Sequence, residues 1–276
     1  MFSVKITLFF LIFSICSTQA AQKGREIIEH YDITSYHVQE LGLKDLVFEA
    51  RIDNLVKLLN SKFSIGKLTD VHFKIYWVAP DIYHIEVKGM PNGFKELKVE
   101  LKKLIAPRID FVIANRVFPQ VRSYALKTSF KGEKTIVRAV DETHTRDISE
   151  MFFTFDQKGK LSEFKTTGPV GSSISKLNLK KLPWSKNKWV LDSMSVKTFF
   201  GVQVVTTDSQ INYTNVSGFG FPSEVSVKTK QSLSNSSSLK KVKDARVIET
   251  SLIFSNYEVN SGKAYKVIAK LNKKKK

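Results

Sequence analysis

The chain has 276 residues and a formal net charge of +18, from 44 lysines and arginines against 26 aspartates and glutamates. Of the basic side chains 36 are lysine and only 8 arginine, so the positive field is diffuse and lacks the forked groups that read phosphates and base edges; no nucleic-acid role is expected. The only cysteine, Cys16, sits in an apolar N-terminal run, which excludes disulfides, thiolate metal sites and a cysteine nucleophile from the rest of the chain.

Residues 1–20 carry an early Lys5, an apolar run from Ile6 to Ile15 and the small-residue stop Thr18-Gln19-Ala20. That is the layout of a secretory signal, with cleavage expected before Ala21. The run is about ten residues, half of the roughly 20 needed to span a bilayer. Lipid anchoring at Cys16 is not expected, because Ile15 stands where lipoprotein signals place a small residue. An exported chain without cysteines is most at home in a bacterial periplasm. Cytosolic redox chemistry, nucleotide-driven chemistry and gene regulation are thereby set aside.

From Gly24 to Leu41 the apolar residues Ile27, Ile28, Tyr31, Val38 and Leu41 fall at helical spacing, and Gly42 supplies the stop. The period then becomes two. Val71, Phe73, Ile75 and Trp77 alternate with polar residues, as do Tyr83, Ile85 and Val87, and the loop Ala79-Pro80-Asp81 separates the runs. A hairpin there pairs Trp77 with Tyr83, Ile75 with Ile85 and Phe73 with Val87 on one face, and Lys74 with Glu86 on the other. Residues 91–105 read as an amphipathic helix with Phe94, Leu97, Leu101 and Leu104 on one stripe. Pro107 ends or kinks it, a short helical piece reaches Ile113, and Pro119 is expected to restart extended structure.

Strands and turns follow to about Tyr257. The clearest is a hairpin at Lys158-Gly159 that sets Phe153 opposite Phe164 and Thr154 opposite Glu163. About ten strands joined by short turns predict an α+β, mainly β fold, an antiparallel meander that curls to hide its edges. A single domain is expected over residues 21–269. The segment 232–241, rich in Ser, Asn and Lys, reads as a mobile loop, and the lysine-rich end 270–276 as a disordered tail.

No catalytic or metal motif stands out. The histidines His30, His37, His72, His84 and His144 form no ligand spacing. Glu142, Asp147 and Glu150 flank His144 in a polar connector and read as solvated loop rather than an acid/base pair. No enzyme activity and no cofactor are expected. The positive signal is apolar: two helical stripes and a sheet face rich in Phe, Trp and Tyr, arranged as a packed core or as a hollow for a long apolar ligand.

The order of parts resembles the LolA/LolB superfamily of periplasmic lipid and lipoprotein carriers. The resemblance rests on an exported chain, a helix ending at Leu41, the Trp-x-x-Pro-Asp stretch Trp77 to Asp81, helices near residues 94–113, and a long meander. Within the meander, Asp156-Gln157-Lys158-Gly159-Lys160-Leu161 is similar to that family's Asp-x-x-Gly-x-Leu turn. It implies an open half-barrel covered by helices, whose concave face takes the acyl chains of lipids or lipoproteins. The sequence assigns that role to Phe73, Ile75, Trp77, Tyr83 and Ile85 on the sheet and Phe94, Leu97, Leu101 and Leu104 on the helix, with lysines turned toward anionic membrane surfaces. The family's arginine in the early strands has no equivalent, since Tyr83 or His84 stands near its place, and the cargo stays open. The alternative is a solid module of the cell envelope whose basic surface binds an acidic polymer or protein.

Overall fold

A computed structural model describes residues 22–62, 68–233 and 247–273. The signal-like segment, Cys16 and most of the serine-rich loop lie outside them. The N-terminal amphipathic stretch forms two pieces rather than one helix. Residues 22–34 form α1, Ser35 makes a parallel bridge to Trp189, and a 3-10 turn, Val38–Leu41, stops at Gly42 with φ 92°.

Strand β1 (Asp45–Ile52) follows and has no counterpart among the expected elements. Its sequence does not alternate because both faces are buried. Leu46, Phe48 and Ala50 enter the main core, while Val47 meets a C-terminal helix on the other side. After α2 (Leu55–Lys62) come β2 (His72–Val78) and β3 (Ile82–Lys88), in the register the alternation predicts: Trp77 opposite Tyr83, Ile75 opposite Ile85, Lys74 opposite Glu86. Helix α3 (Lys95–Ile105) passes into a 3-10 turn, Ala106–Phe111, with Pro107 in its first turn. Pro119 does not restart extended structure. It occupies the first turn of a short helix, α4 (Phe118–Val121), where its missing N–H costs nothing, and extended backbone resumes only at Ala125.

Nine strands complete the chain's sheet: β4 (Ala125–Lys131), β5 (Lys134–Val140), β6 (Glu150–Phe155), β7 (Leu161–Gly168), β8 (Gly171–Lys181), β9 (Trp189–Phe200), β10 (Gln203–Val216), β11 (Phe219–Leu233) and β12 (Val247–Val259). The Phe153–Phe164 and Thr154–Glu163 pairs form as expected. The twelve strands among the described residues make one antiparallel sheet in the order β3-β2-β1-β12-β11-β10-β9-β8-β7-β6-β5-β4. It is not closed: β3 and β4 are its two edges. Strand β1 pairs with β12, Leu46 opposite Val259, so the first and the last of the described strands meet in the sheet's interior.

The lysine-rich end also departs from expectation. Lys263–Lys273 form a helix, α5, so Lys270 and Lys273 belong to ordered structure. Ala264, Val267 and Ile268 recur at helical spacing and pack on Val47, Tyr76 and Val78, the face of β1 and β2 turned away from the main core.

Two larger apolar cores share the opposite face of the sheet. One joins β1–β3 and β10–β12 to α2, α3 and the 3-10 turns, through Phe48, Phe73, Leu101, Ile105, Ile109 and Phe221 among others. The second joins β5–β8 to α1 and α4, through Ile28, Val121, Val137, Phe153, Phe155 and Leu179.

Candidate functional site

The nine residues assigned to an apolar site divide into three groups. Phe73, Ile75, Trp77, Ile85 and Leu101 are buried in one core cluster, with Phe94 and Leu97 half-buried against it. They fill the space between them. Tyr83 and Leu104 stand in solvent, at 45% and 38% exposure. Tyr83 is correctly registered opposite Trp77 but lies on edge strand β3, with no strand beyond it among the described residues. Leu104 loses its place to Ile105: four residues past Leu101 lies about 40° from it around the helix, and three lies about 60° to the other side. The core has taken the first of these, and Ile105 is fully buried.

Internal space lies where the two cores meet. A cavity of about 170 Å³ is lined by Tyr31, His37, Asp110, Leu179, Trp189 and Tyr213, among others. At roughly 30 Å³ per water it has room for about five molecules. Its walls are pinned by long-range polar contacts. Buried Asp32 accepts the backbone N–H groups of Val117 and Phe118, both at 2.8 Å, which ties α1 to α4. Arg116 lies 3.7 Å from Asp32 and 3.6 Å from Glu40, and Lys188 reaches Glu40 at 3.0 Å. Tyr36 accepts the Gly220 N–H at 2.8 Å and meets the Trp184 ring edge-on at 4.9 Å. Gly220 must be glycine, since a Cβ there would fall 2.0 Å from the Trp184 ring.

The polar groups at the cavity are tuned by burial. His37 Nδ1 sits 3.1 Å from the Ala114 carbonyl, to which it donates, and Nε2 has no partner among the described residues. The imidazole is thus anchored to backbone. Burial raises the Asp110 carboxyl, and Asp81 raises it further. Burial likewise pushes the Tyr213 hydroxyl well above its ordinary value, consistent with its role as donor to the Leu191 carbonyl at 2.7 Å.

From this seam the core-side face of the sheet continues outward in rows set by strand register. Leu179, Ile211, Val225 and Leu252 are buried. Next comes Leu177–Met194–Ser209–Val227–Thr250, of which only Ser209 is buried and the others are half-buried, and then Phe164–Ser175–Val196–Thr207–Thr229–Ile248. The face therefore grades from aliphatic to hydroxyl-bearing along its strands. Sequence reading passes over these residues because each strand alone looks weakly amphipathic; the gradient exists only across five strands in register.

On the other face, alternation aligns Asn178, Ser193, Gln210, Ser226 and Ser251 in one polar row. An open trough of about 910 Å³ is lined by residues of both alternations, Leu177, Met194 and Val227 as well as this polar row, together with Lys176 and Lys228 beside Asp208 and Glu249. The connector between β5 and β6 is a loop built around Asp141. Asp141 accepts from the Thr143 hydroxyl and from the backbone N–H groups of Thr143, Thr145 and Arg146, which holds its carboxyl at about 2. No cluster of three metal-ligating side chains occurs among the described residues.

Comparison with protein-family models, curated proteins and solved structures returned no match.

Proposed function

We propose that the chain is an exported, non-enzymatic binder of amphiphiles, with the acyl chain of a lipid or lipoprotein held on the core-side face of a sheet curved into a half-barrel under α1, α3 and their flanking turns. The observation that carries this reading is the graded face running into the seam between the cores. The tail would lie along Leu177, Met194 and Val227 toward the cavity of about 170 Å³, and the headgroup among Ser175, Thr207 and Thr229. Ligand pockets for drug-sized molecules hold about 300–1,000 Å³. The cavity is smaller than that, so loading would part the cores at the seam rather than displace Phe73, Ile75 and Trp77. Each buried methylene contributes about 0.8 kcal/mol, so a long chain supplies affinity without a fixed polar contact. The order of parts in the sequence, which resembles that of the periplasmic carriers, is in line with the same reading.

Lipid extraction of the purified protein followed by mass spectrometry, with uptake of a fluorescent fatty acid, tests it. Met194→Asp is expected to abolish uptake in a folded protein. A protein that yields no lipid and takes up no probe refutes the reading.

The polar trough favours a second reading, an envelope module that lays a polar polymer across β8–β12. Ser226→Trp fills the trough. On this reading it would abolish binding of an acidic polysaccharide such as heparin to a protein that yields no lipid on extraction.

A further inference from the structure

The two ends of the long strands differ in the chemistry of their turns. At one end the hairpins turn through Asp156-Gln157-Lys158-Gly159 and Ser217-Gly218, all polar or glycine, and the longer β8–β9 connection turns at Lys186-Asn187 after Trp184 has folded back onto Tyr36 and Tyr213. At the other, β7 turns into β8 through Pro169-Val170, and β9 turns into β10 through Gly201-Val202. Two-residue hairpin turns ordinarily carry Asn, Asp or Gly. Here β-branched apolar side chains occupy the tips and stand in water: Val170 is 82% exposed and Val202 66%, flanked by Phe200 at 47% and Leu233 at 51%.

These tips are neighbours. A Cβ on Gly171 would lie 2.2 Å from the Phe199 carbonyl and 3.4 Å from the Phe200 ring, so the first turn abuts the second. Gln203 is registered with both Phe200 and Leu233, and Val247 and Ile248 continue the apolar edge on β12. From β7 to β12 the edge is about 24 Å long at roughly 4.8 Å per strand. Behind it, Lys197 and Lys230 are exposed and share a register row through Thr206, a row in which no acid stands between β8 and β12. The next row is balanced, with Lys176 and Lys228 beside Asp208 and Glu249, and Lys228 reaches Glu249 at 2.8 Å. The positive charge nearest the tips is therefore not neutralised from behind. The edge ends at the β5–β6 connector, where Glu142 and Asp147 bring negative charge.

We infer that this end of the sheet docks on an anionic lipid bilayer. The apolar tips enter the interface and the lysines behind them meet lipid phosphates, the pairing of shallow apolar insertion with basic flanks that holds peripheral proteins on membranes. The inference goes beyond the amphiphile-binding reading, although docking would set the open end of the graded face against the lipid source. Vesicle binding needs no internal cavity, so the two ideas fail separately.

The test is co-sedimentation of the protein lacking residues 1–20 with vesicles of phosphatidylcholine alone or with about one-third phosphatidylglycerol. Binding is expected only to the anionic vesicles. It should fall at least tenfold in Val170→Ser/Phe200→Ser/Val202→Ser and in Lys197→Gln/Lys230→Gln, and be unchanged in Phe130→Ser at the other end. Val202→Trp supplies an independent readout: its emission should shift to the blue on anionic vesicles and be quenched by brominated lipid. Absence of binding, binding indifferent to the tip substitutions, or an indole emission of the Val202→Trp variant that does not move overturns the proposal. So does a lipid-free self-association that the tip substitutions remove, which would make the edge a contact between copies.

Discussion

Tyr36 shows how a single hydroxyl can hold two distant parts of the chain together. It accepts the buried Gly220 N–H, so Tyr36→Phe strands a donor away from water and is expected to cost about 1–3 kcal/mol, measured as a lower urea midpoint at unchanged slope. Asp141 is the complementary case, a carboxylate whose folded value is depressed to about 2 by the Thr143 hydroxyl and three backbone amides. A depressed carboxyl stabilises fully above its unfolded value near 4 and loses that contribution as pH falls through the folded one. Urea midpoints of the parent should therefore fall between about pH 4 and pH 2 more steeply than those of Asp141→Asn. Neither residue stands out in the sequence. Tyr36 gains its meaning from a partner 184 positions away, and Asp141 from backbone amides that no side-chain pattern encodes.

Among the elements, those with one wet face are legible in the sequence and those with two dry faces are not. The β2–β3 register can be written down because Lys74, Glu86 and His84 alternate against Ile75, Trp77 and Ile85. Strand β1 lacks that signal because α5 covers the face away from the main core. Its pattern of burial is nearly continuous from Asp45 to Ala50. The same packing turns an apparent lysine tail into a structural helix: Val267→Asp should expose Val47 and Tyr76 and destabilise by about 2–4 kcal/mol, visible as a lowered Tm. On α3, the apolar stripe is right as far as Leu101 and then falls one residue short, since a helix drifts by about 20° on a seven-residue repeat. Leu101 is buried in a filled core, so Leu101→Asp is expected to unfold the protein outright. Circular dichroism of that variant checks the point, and Met194→Asp is the substitution that separates binding from folding.

For the molecule as a whole, the mainly β antiparallel meander follows from the count and spacing of strands, but the seam between two cores does not. It is made by Tyr31, Trp189 and Tyr213, drawn from α1, β9 and β10. Only the sheet order shows that they converge. The expected apolar site falls on the most regular amphipathic hairpin, whose Phe73, Ile75, Trp77 and Ile85 are buried in the main core. The graded rows on β8–β12 are less regular and less buried, as the binding face proposed above requires.

The pairing of β1 with β12 sets the order of events when the protein folds. Residues 46 and 259 must meet before the interior of the sheet exists, and loop closure across most of the chain is slow relative to any hairpin. Until β12 is available, β1–β3 and β4–β11 are two partial sheets, each with an extra open edge and half a core. A chain ending at residue 246 is expected to show strand content without a cooperative urea transition. This topology delays the last step of folding until the final strand has emerged, which suits the export proposed above: a polypeptide that closes late stays threadable through a narrow translocation pore for nearly its full length.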